Sequence, residues 1–338
     1  FTSGTGGTPR AVVHAHRAIW ARGMMTRGWY DLHATDRVLH AGAFNWTFTL
    51  GTGLMDPWTA GATALIPAAG VDAAQLPLLL KRYDATLFAA APGVYRRLLR
   101  MPIPPLPRLR HGLSAGEKLP EPLRAAWQAA TGTPVHEAYG LSECSTFISG
   151  APDAPAAAHR LGRPQPGRRV AVVDAQGTPV PHGTPGILAV HRTDPGLMLG
   201  YLGAPEATAE KTRADWFLTG DTAILHPDGQ VEYLGRDDDM MNAGGYRVSP
   251  LEVEAALADL PGLAEIAVTD IAVRDGVRVI AAFYTAGPQE APDEAALRAA
   301  AETRLARYKQ PRAWIRLDAL PRNRNGKILR RALRDHAR

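Results

Sequence analysis

Short apolar runs separated by amphipathic stretches restrict what the first half of this 338-residue chain can fold into more than any other feature. Residues 38–40, 62–66 and 86–90 are apolar and partly β-branched, while residues 74–83 and 122–130 place apolar side chains at helical spacing. Parallel strands are buried on both faces, so they read as short apolar runs, and each needs a crossover helix to return. The alternation therefore predicts parallel strands with crossover helices over about residues 1–160. Beyond that the texture changes. Val170-Ala171-Val172-Val173-Asp174, Gly186-Ile187-Leu188-Ala189-Val190 and Gln230-Val231-Glu232-Tyr233-Leu234 are separated by Gly, Pro and Asp turns, so residues 161–237 read as a smaller antiparallel region. The acidic run Asp237-Asp238-Asp239 precedes a distinct last piece, 238–338. Its expected helices at 250–260 and 293–306 and strands near 266–273 and 277–285 make a small α+β domain. The fold class is α/β, a large domain over 1–237 followed by a small one, with no internal repeat.

Composition narrows the function. A chain that is 46% hydrophobic and 21% charged is an ordinary globular protein rather than a disordered one. Its net charge of +5 is denser after residue 304 and suits small anionic ligands. The basic stretch Arg322-Asn323-Arg324-Asn325-Gly326-Lys327 lacks interleaved aromatics and any nucleic-acid-binding module, so no nucleic-acid partner is expected. The single cysteine, Cys144, excludes an intramolecular disulfide framework and points to a reducing compartment, with the cytoplasm as the expected location. No apolar run approaches the roughly twenty residues of a membrane span.

Six segments carry chemistry. Thr2-Ser3-Gly4-Thr5-Gly6-Gly7-Thr8 is a loop whose glycines let backbone N–H groups approach an anion while its hydroxyls add donors. It has neither Walker A nor dinucleotide spacing, and alone it reads more readily as a surface turn or linker. Tyr139-Gly140-Leu141-Ser142-Glu143, at the end of an apolar-leaning segment closing at Ala138, offers an aromatic face, a hydroxyl and a carboxylate. Mg²⁺ takes one or two protein carboxylates plus phosphate oxygens, a role open to Glu143, although an exposed glutamate after a glycine turn is commonly just solvated. Asp221, after Gly220 at the end of an aromatic-apolar run, can accept both hydroxyls of a ribose or simply begin a turn. Gly235-Arg236-Asp237-Asp238-Asp239 fits a solvated joint, and Gly244-Gly245-Tyr246-Arg247 permits close backbone approach to a ligand. Lys327, in a polar loop, is a suitable point charge for a phosphate or carboxylate, or an ordinary surface lysine.

Taken in order, these segments resemble the adenylate-forming (AMP-binding) superfamily, in particular its acyl-CoA synthetase branch and the benzoate-type ligases within it. Residues 1–10 resemble its phosphate loop, Ser114-Ala115-Gly116-Glu117 its adenine-side segment and Tyr139-Gly140-Leu141-Ser142-Glu143 its aromatic-Gly-x-Thr-Glu motif. The segments ending in Asp221, Asp238, Arg247 and Lys327 continue the match. The resemblance implies an incomplete large domain, with the superfamily's N-terminal part lying before Phe1, and a mobile C-terminal domain. It also implies that Thr2, Ser3, Gly4, Thr5, Gly6, Gly7 and Thr8 hold pyrophosphate oxygens. Ser114, Gly116, Glu117, Ala138, Tyr139 and Gly140 would surround adenine, and Asp221 with Arg236 would bind ribose. Ser142 and Glu143 would meet the α-phosphate and Mg²⁺, and Lys327 would be the catalytic lysine of adenylation. Asp238 matches the hinge and Gly245 the glycine beside pantetheine. Implied cofactors are ATP, Mg²⁺ and CoA, and the partner is a carboxylic acid.

The chain departs from the family pattern at Gly6, Arg10 and Ala11, where Thr, Lys and Gly are usual, so altered ATP affinity is expected rather than loss of function. Asn45 stands where amino-acid-activating relatives carry Asp, which disfavours an amino acid and leaves an aryl or short-to-medium acyl acid. Trp46, Phe48, Ala91 and Gly112 are candidate pocket walls. His14 and His16 form an H-x-H pair without further ligands nearby and read as structural. The expected activity is an acid–CoA ligase. Alternatives left open are a catalytically silent or truncated nucleotide-binding fragment and an adenylation domain loading a carrier protein; a homodimer is the assembly considered.

Overall fold

Five short parallel strands form the frame of the first unit, and three of them are the apolar runs near 38–40, 62–66 and 86–90. The computed structural model describes residues 1–2, 9–44, 46–68, 70–243, 246–274, 277–287, 292–322 and 328–336, and only the backbone of Tyr246, Arg274 and Val277. These fall into two compact units, Phe1–Tyr233 and Leu234–Arg338. Among the described residues the main sheet runs Thr63–Leu65, Arg37–His40, Leu87–Ala90, His111–Ala115, Val135–Leu141, Ser145–Ser149, Arg163–Pro164. The first five strands are parallel and the last two antiparallel.

The amphipathic stretches are its helices. Residues 74–83 become a short turn and then Leu76–Arg82, and residues 122–130 lie in Glu121–Thr131. That second helix has Pro122 in its first turn, where the missing N–H costs nothing. It stops at Gly132, whose φ of +73° lets its N–H return to the Gln128 carbonyl at 2.8 Å. Its Trp127 is fully buried on the sheet, stacked on Phe88 with centroids 5.7 Å apart and edge-on to Tyr95 at 4.8 Å. On the opposite face Ala89, Leu113 and Ala138 pack under Met25, Trp29 and Phe48.

The β-rich stretch after residue 160 forms a second, antiparallel sheet of Val170–Val173, Pro185–His191, Trp216–Leu225 and Thr212–Arg213, with Val231–Arg236 also on Trp216–Leu225. The alternative that Asp221 simply begins a turn does not hold, because its strand continues to Leu225. Instead the register with Pro185–His191 jumps between the Ala189–Leu218 and Ile187–Thr222 pairs. The extra residues form a bulge in which Gly220 adopts φ +81°, a conformation glycine takes without strain.

In the second unit Leu263–Arg274 and Val277–Ala286 are antiparallel, and Ala313–Arg316 adds in parallel. Pro250–Leu257, Glu294–Arg304 and Arg330–His336 are the helices. The first ends three residues before the expected 260, ahead of Pro261, which brings no N–H to a continuing helix. Ser249 and Asp293 cap the first two helices by accepting the Glu252 and Ala295 N–H groups at 3.3 and 3.1 Å.

Three histidines lie buried in the main sheet: His40, His111 and His136. Burial lowers His40 to about 3 and both others to about 4, with Arg110 adding to the effect on His111 and His111 adding to it on His136. Their native forms therefore stay neutral while an unfolded chain takes up protons below pH 6.5, so stability is complete above that pH and falls as pH drops toward 4. Each histidine contributes a slope approaching about 1.4 kcal/mol per pH unit once the unfolded form is protonated. Urea unfolding at pH 7.5 and pH 5 is expected to show a clear loss at the lower pH, reduced in His40→Phe; equal stability at both would contradict the burial assigned to these rings.

Candidate active site

The turn that links Val135–Leu141 to Ser145–Ser149 carries Ser142 and Glu143, and the chain approaches itself closely there. A Cβ on Gly140 would lie 2.2 Å from the Ser145 carbonyl oxygen and 2.5 Å from the Thr146 Cα, so only glycine fits. The Glu143 carboxylate is buried, its residue 6% exposed, and Oε1 accepts the Tyr201 hydroxyl at 2.5 Å. The Arg10 guanidinium lies over the Tyr201 ring, 5.5 Å from its centroid. Arg10 also pairs with Thr2, whose N–H donates to the Arg10 carbonyl at 2.8 Å. The base of the glycine-rich loop is thus a two-stranded pinch beside Tyr201. Residues 3–8, holding Ser3, Gly4, Thr5, Gly6, Gly7 and Thr8, lie outside the described residues, as do Asn45, Gly245 and Lys327.

The bulge places the Asp221 carboxylate against two phenols. Tyr139 donates to Oδ2 and Tyr233 donates to Oδ1 at 3.4 Å, while Thr219 Oγ1 accepts the Asp221 N–H at 3.1 Å and donates to the Leu188 carbonyl at 2.7 Å. Burial of the Tyr139 hydroxyl, with the Asp221 charge beside it, holds its pKa well above the usual phenol range. The Tyr139 and Tyr233 rings are 5.6 Å apart and tilted by 40°. Two aromatic rings and one carboxylate therefore share a corner made by Val135–Leu141, Trp216–Leu225 and Val231–Arg236.

On the next strand, Ser114 is fully buried and its Oγ has no hydrogen-bond partner among the described residues. Gly116 follows at φ +100°, with the Trp46 indole so close that a Cβ would lie 2.5 Å from its ring. Trp46 is edge-on to Phe48 at 5.1 Å. Ala91 starts the Pro92–Leu98 helix and is half-buried, and Glu117 is half-buried just past Gly116. Gly112 faces the packed side: a Cβ there would meet the Tyr95 hydroxyl at 2.6 Å. His14 Nε2 lies 2.8 Å from the Ser142 carbonyl, so it donates to the backbone of the turn. Among the described residues no three His, Cys, Asp or Glu side chains come together as a metal cage. A lone buried carboxylate at a turn suits a Mg²⁺ that arrives on phosphate oxygens rather than a resident ion.

In the second unit, Arg236 Nε lies 3.1 Å from Asp238 Oδ1, Arg247 Nη2 is 2.6 Å from Asp237, and Arg334 is 3.7 Å from Asp239. Each residue of the acidic run thus has a cation beside it. On either side of residues 323–327, Arg322 pairs with Glu265 at 2.6 Å and Arg330 with half-buried Glu254 at 2.5 Å, and Arg322 bridges Ile328. Tyr201 and Tyr233 stand in apolar runs with no local signal; only their side-chain contacts with Glu143 and Asp221 in the fold single them out.

The chain belongs to the AMP-binding enzyme family: the family's description matches residues 1–202, and the AMP-binding enzyme C-terminal domain matches residues 252–327. It is 33% identical over 343 residues to a 3-hydroxybenzoate–CoA ligase of Aromatoleum sp. (strain CIB), covering 99% of this chain and 65% of that protein. It is 30% identical over 351 residues to a mitochondrial acyl-coenzyme A synthetase of Rattus norvegicus, covering 99% of this chain and 60% of that one. The crystal structure of an anthranilate CoA ligase in complex with anthranoyl-AMP superimposes with a TM-score of 0.91 at 30% identity, covering 100% of this chain and 66% of that chain. The chain thus spans about 60–65% of the length of these curated relatives.

The contact of Trp46 with Gly116 can be tested directly. Gly116→Ala is expected to lose about 1–3 kcal/mol, from a backbone conformation costly to alanine and displacement of the indole. Urea unfolding and near-ultraviolet circular dichroism of the same variant report both effects. An unchanged midpoint with an unchanged aromatic spectrum would contradict this packing.

Proposed function

We propose that the protein is an ATP-dependent acid–CoA ligase, which joins a carboxylic acid to ATP as acyl-AMP with release of pyrophosphate and then transfers the acyl group to CoA. The observation that carries this reading is the corner of Tyr139, Tyr233 and Asp221 beside the buried Glu143 turn. Aromatic rings suit adenine, and a carboxylate held by two phenols suits ribose hydroxyls, which are weak donors needing a well-fixed acceptor. The family membership and the CoA-ligase relatives point the same way. Mg²⁺, brought with ATP, would neutralise charge on the phosphates, with Glu143 as its protein ligand.

The chain's own work is to orient and to stabilise charge. One carboxylate oxygen attacks the α-phosphorus, the bond to the pyrophosphate oxygen breaks, and negative charge grows on the surrounding oxygens. Fixed donors stabilise that charge without reorganisation. We assign these roles to the backbone and hydroxyls of residues 2–8, to Ser142, and to Lys327, which ends the segment matching the C-terminal family domain. Thiol attack on the acyl carbonyl then expels AMP. In that step Lys327 has no task, Gly245 would admit the pantetheine arm, and Asp238 would serve as hinge. The aromatic wall of Trp46 and Phe48, and the uncharged Asn45, favour an aryl acid over an amino acid. The cytoplasmic placement rests on the lone cysteine; no helix among the described residues is long and apolar enough to cross a membrane. The homodimer is left to mass measurement in solution.

Full-length protein incubated with ATP, Mg²⁺ and a panel of aryl and aliphatic acids, with and without CoA, is expected to release pyrophosphate only when an acid is present. Failure to release pyrophosphate with every acid in the panel would sink the proposal. Lys327→Ala is expected to slow adenylation about a hundredfold or more while sparing thioester formation from supplied acyl-AMP, as for a group acting in one transition state only. Equal loss in both half-reactions would contradict the role given to Lys327.

A further inference from the structure

Residues 142–146, which contain Glu143, are held from outside their own hairpin at every position. His14 contacts the Ser142 carbonyl; the Glu143 carbonyl accepts the Met198 N–H at 2.8 Å and its carboxylate accepts Tyr201. Arg168 Nη2 donates to the Cys144 carbonyl at 3.4 Å and the Thr146 carbonyl at 3.0 Å. Arg22 Nη1 donates to the Ser145 hydroxyl. Ser145 itself has φ +62°, a backbone setting that a serine keeps only when its surroundings enforce it.

The two arginines are buried and each is fixed by its own aspartate. Arg168 and Asp194 have no exposed side-chain surface and lie 2.8 Å apart; the other Asp194 oxygen accepts the Arg169 N–H at 2.9 Å, and the Gly196 N–H donates to Oδ1 at 2.8 Å. Arg22 holds Asp56 in a fork, Nε to Oδ1 at 2.7 Å and Nη2 to Oδ2 at 2.6 Å, and Tyr30 donates to the same Oδ2 at 2.8 Å. Gly51 makes room for this pair, since a Cβ there would fall 1.9 Å from Arg22 Nη2. A buried ion pair costs desolvation and adds little net stability, so two of them converging on five successive residues call for another reason.

We propose that Arg22 and Arg168 are positioning residues that fix the Glu143 turn so that its carboxylate meets the divalent cation of bound ATP, an inference that rests on the metal role proposed for Glu143. The pairs work as a clamp: Arg168 grips the backbone on both sides of Ser145, Arg22 grips its hydroxyl, and the left-handed residue held between them sets the direction of the turn. Outer contacts of this kind commonly control metal affinity as strongly as the ligand's own placement does.

The test is a binding measurement without acid or CoA. Calorimetric titration of full-length protein with ATP, in the presence and absence of Mg²⁺, gives the factor by which the cation tightens nucleotide binding. Ser145→Ala, which leaves Arg22 paired with Asp56, and Arg168→Lys are each expected to bind metal-free ATP within about twofold of wild type and to lose about tenfold of the Mg²⁺ factor. Glu143→Gln is measured beside them. If it loses the Mg²⁺ factor while both other variants keep it, the clamp is overturned and the metal role of Glu143 stands. If Glu143→Gln keeps the factor, the metal role falls and the clamp with it. Arg168→Lys is judged only after circular dichroism shows a native fold, and Ser145→Ala decides the matter alone if it does not.

Discussion

Everything proposed for this chain depends on the buried pair of Arg168 and Asp194, because it joins the two sheets of the first unit at the Glu143 turn. Asp194 lies in the turn after Pro185–His191 of the antiparallel sheet, and Arg168 carries its charge to the carbonyls of Cys144 and Thr146 in the main sheet. The alternative partner for those buried groups would be water that cannot reach them, so the pair holds one arrangement rather than adding much stability. Cys144 sits inside this contact, 3.9 Å from Asp194, and burial pushes its thiol above the usual range. It behaves as a small apolar side chain, not a nucleophile.

The same economy governs the corner of Tyr139, Tyr233 and Asp221. A bulge at Gly220 turns Asp221 toward Tyr139, 82 residues upstream, and toward Tyr233 on the following strand, so three strands each contribute one group. In the second unit Arg322 and Arg330 have partners of their own in Glu265 and Glu254. Charge stabilisation by pre-placed groups needs little covalent chemistry from the protein, and the number of buried polar groups committed to geometry alone is consistent with that division of work.

Much of this was legible in the sequence. The parallel strands follow from apolar runs that need both faces covered, and the small antiparallel sheet from turn residues at short intervals. The order of motifs, from the glycine-rich loop to Lys327, identified the family that the comparisons establish. What was not legible follows from register. Asp221 reads as the end of a strand because Gly220 looks like a stop, whereas the partner strand continues and forces a bulge. Tyr201, Tyr233, Arg22 and Arg168 carry no local pattern, since their partners stand 58, 12, 123 and 24 residues away. Gly112, taken from sequence as a pocket wall, is explained by the Tyr95 hydroxyl that packs against it.

The central claim is that a substrate carboxylate attacks the α-phosphorus of ATP. Turnover of full-length protein with ATP, CoA and a benzoate labelled with ¹⁸O in both carboxylate oxygens tests it most directly. Mass spectrometry of the AMP formed is predicted to show one ¹⁸O atom per molecule, because the oxygen that joined the phosphorus leaves with AMP when the thiol displaces it. Unlabelled AMP, or ADP with label in inorganic phosphate, would contradict the account.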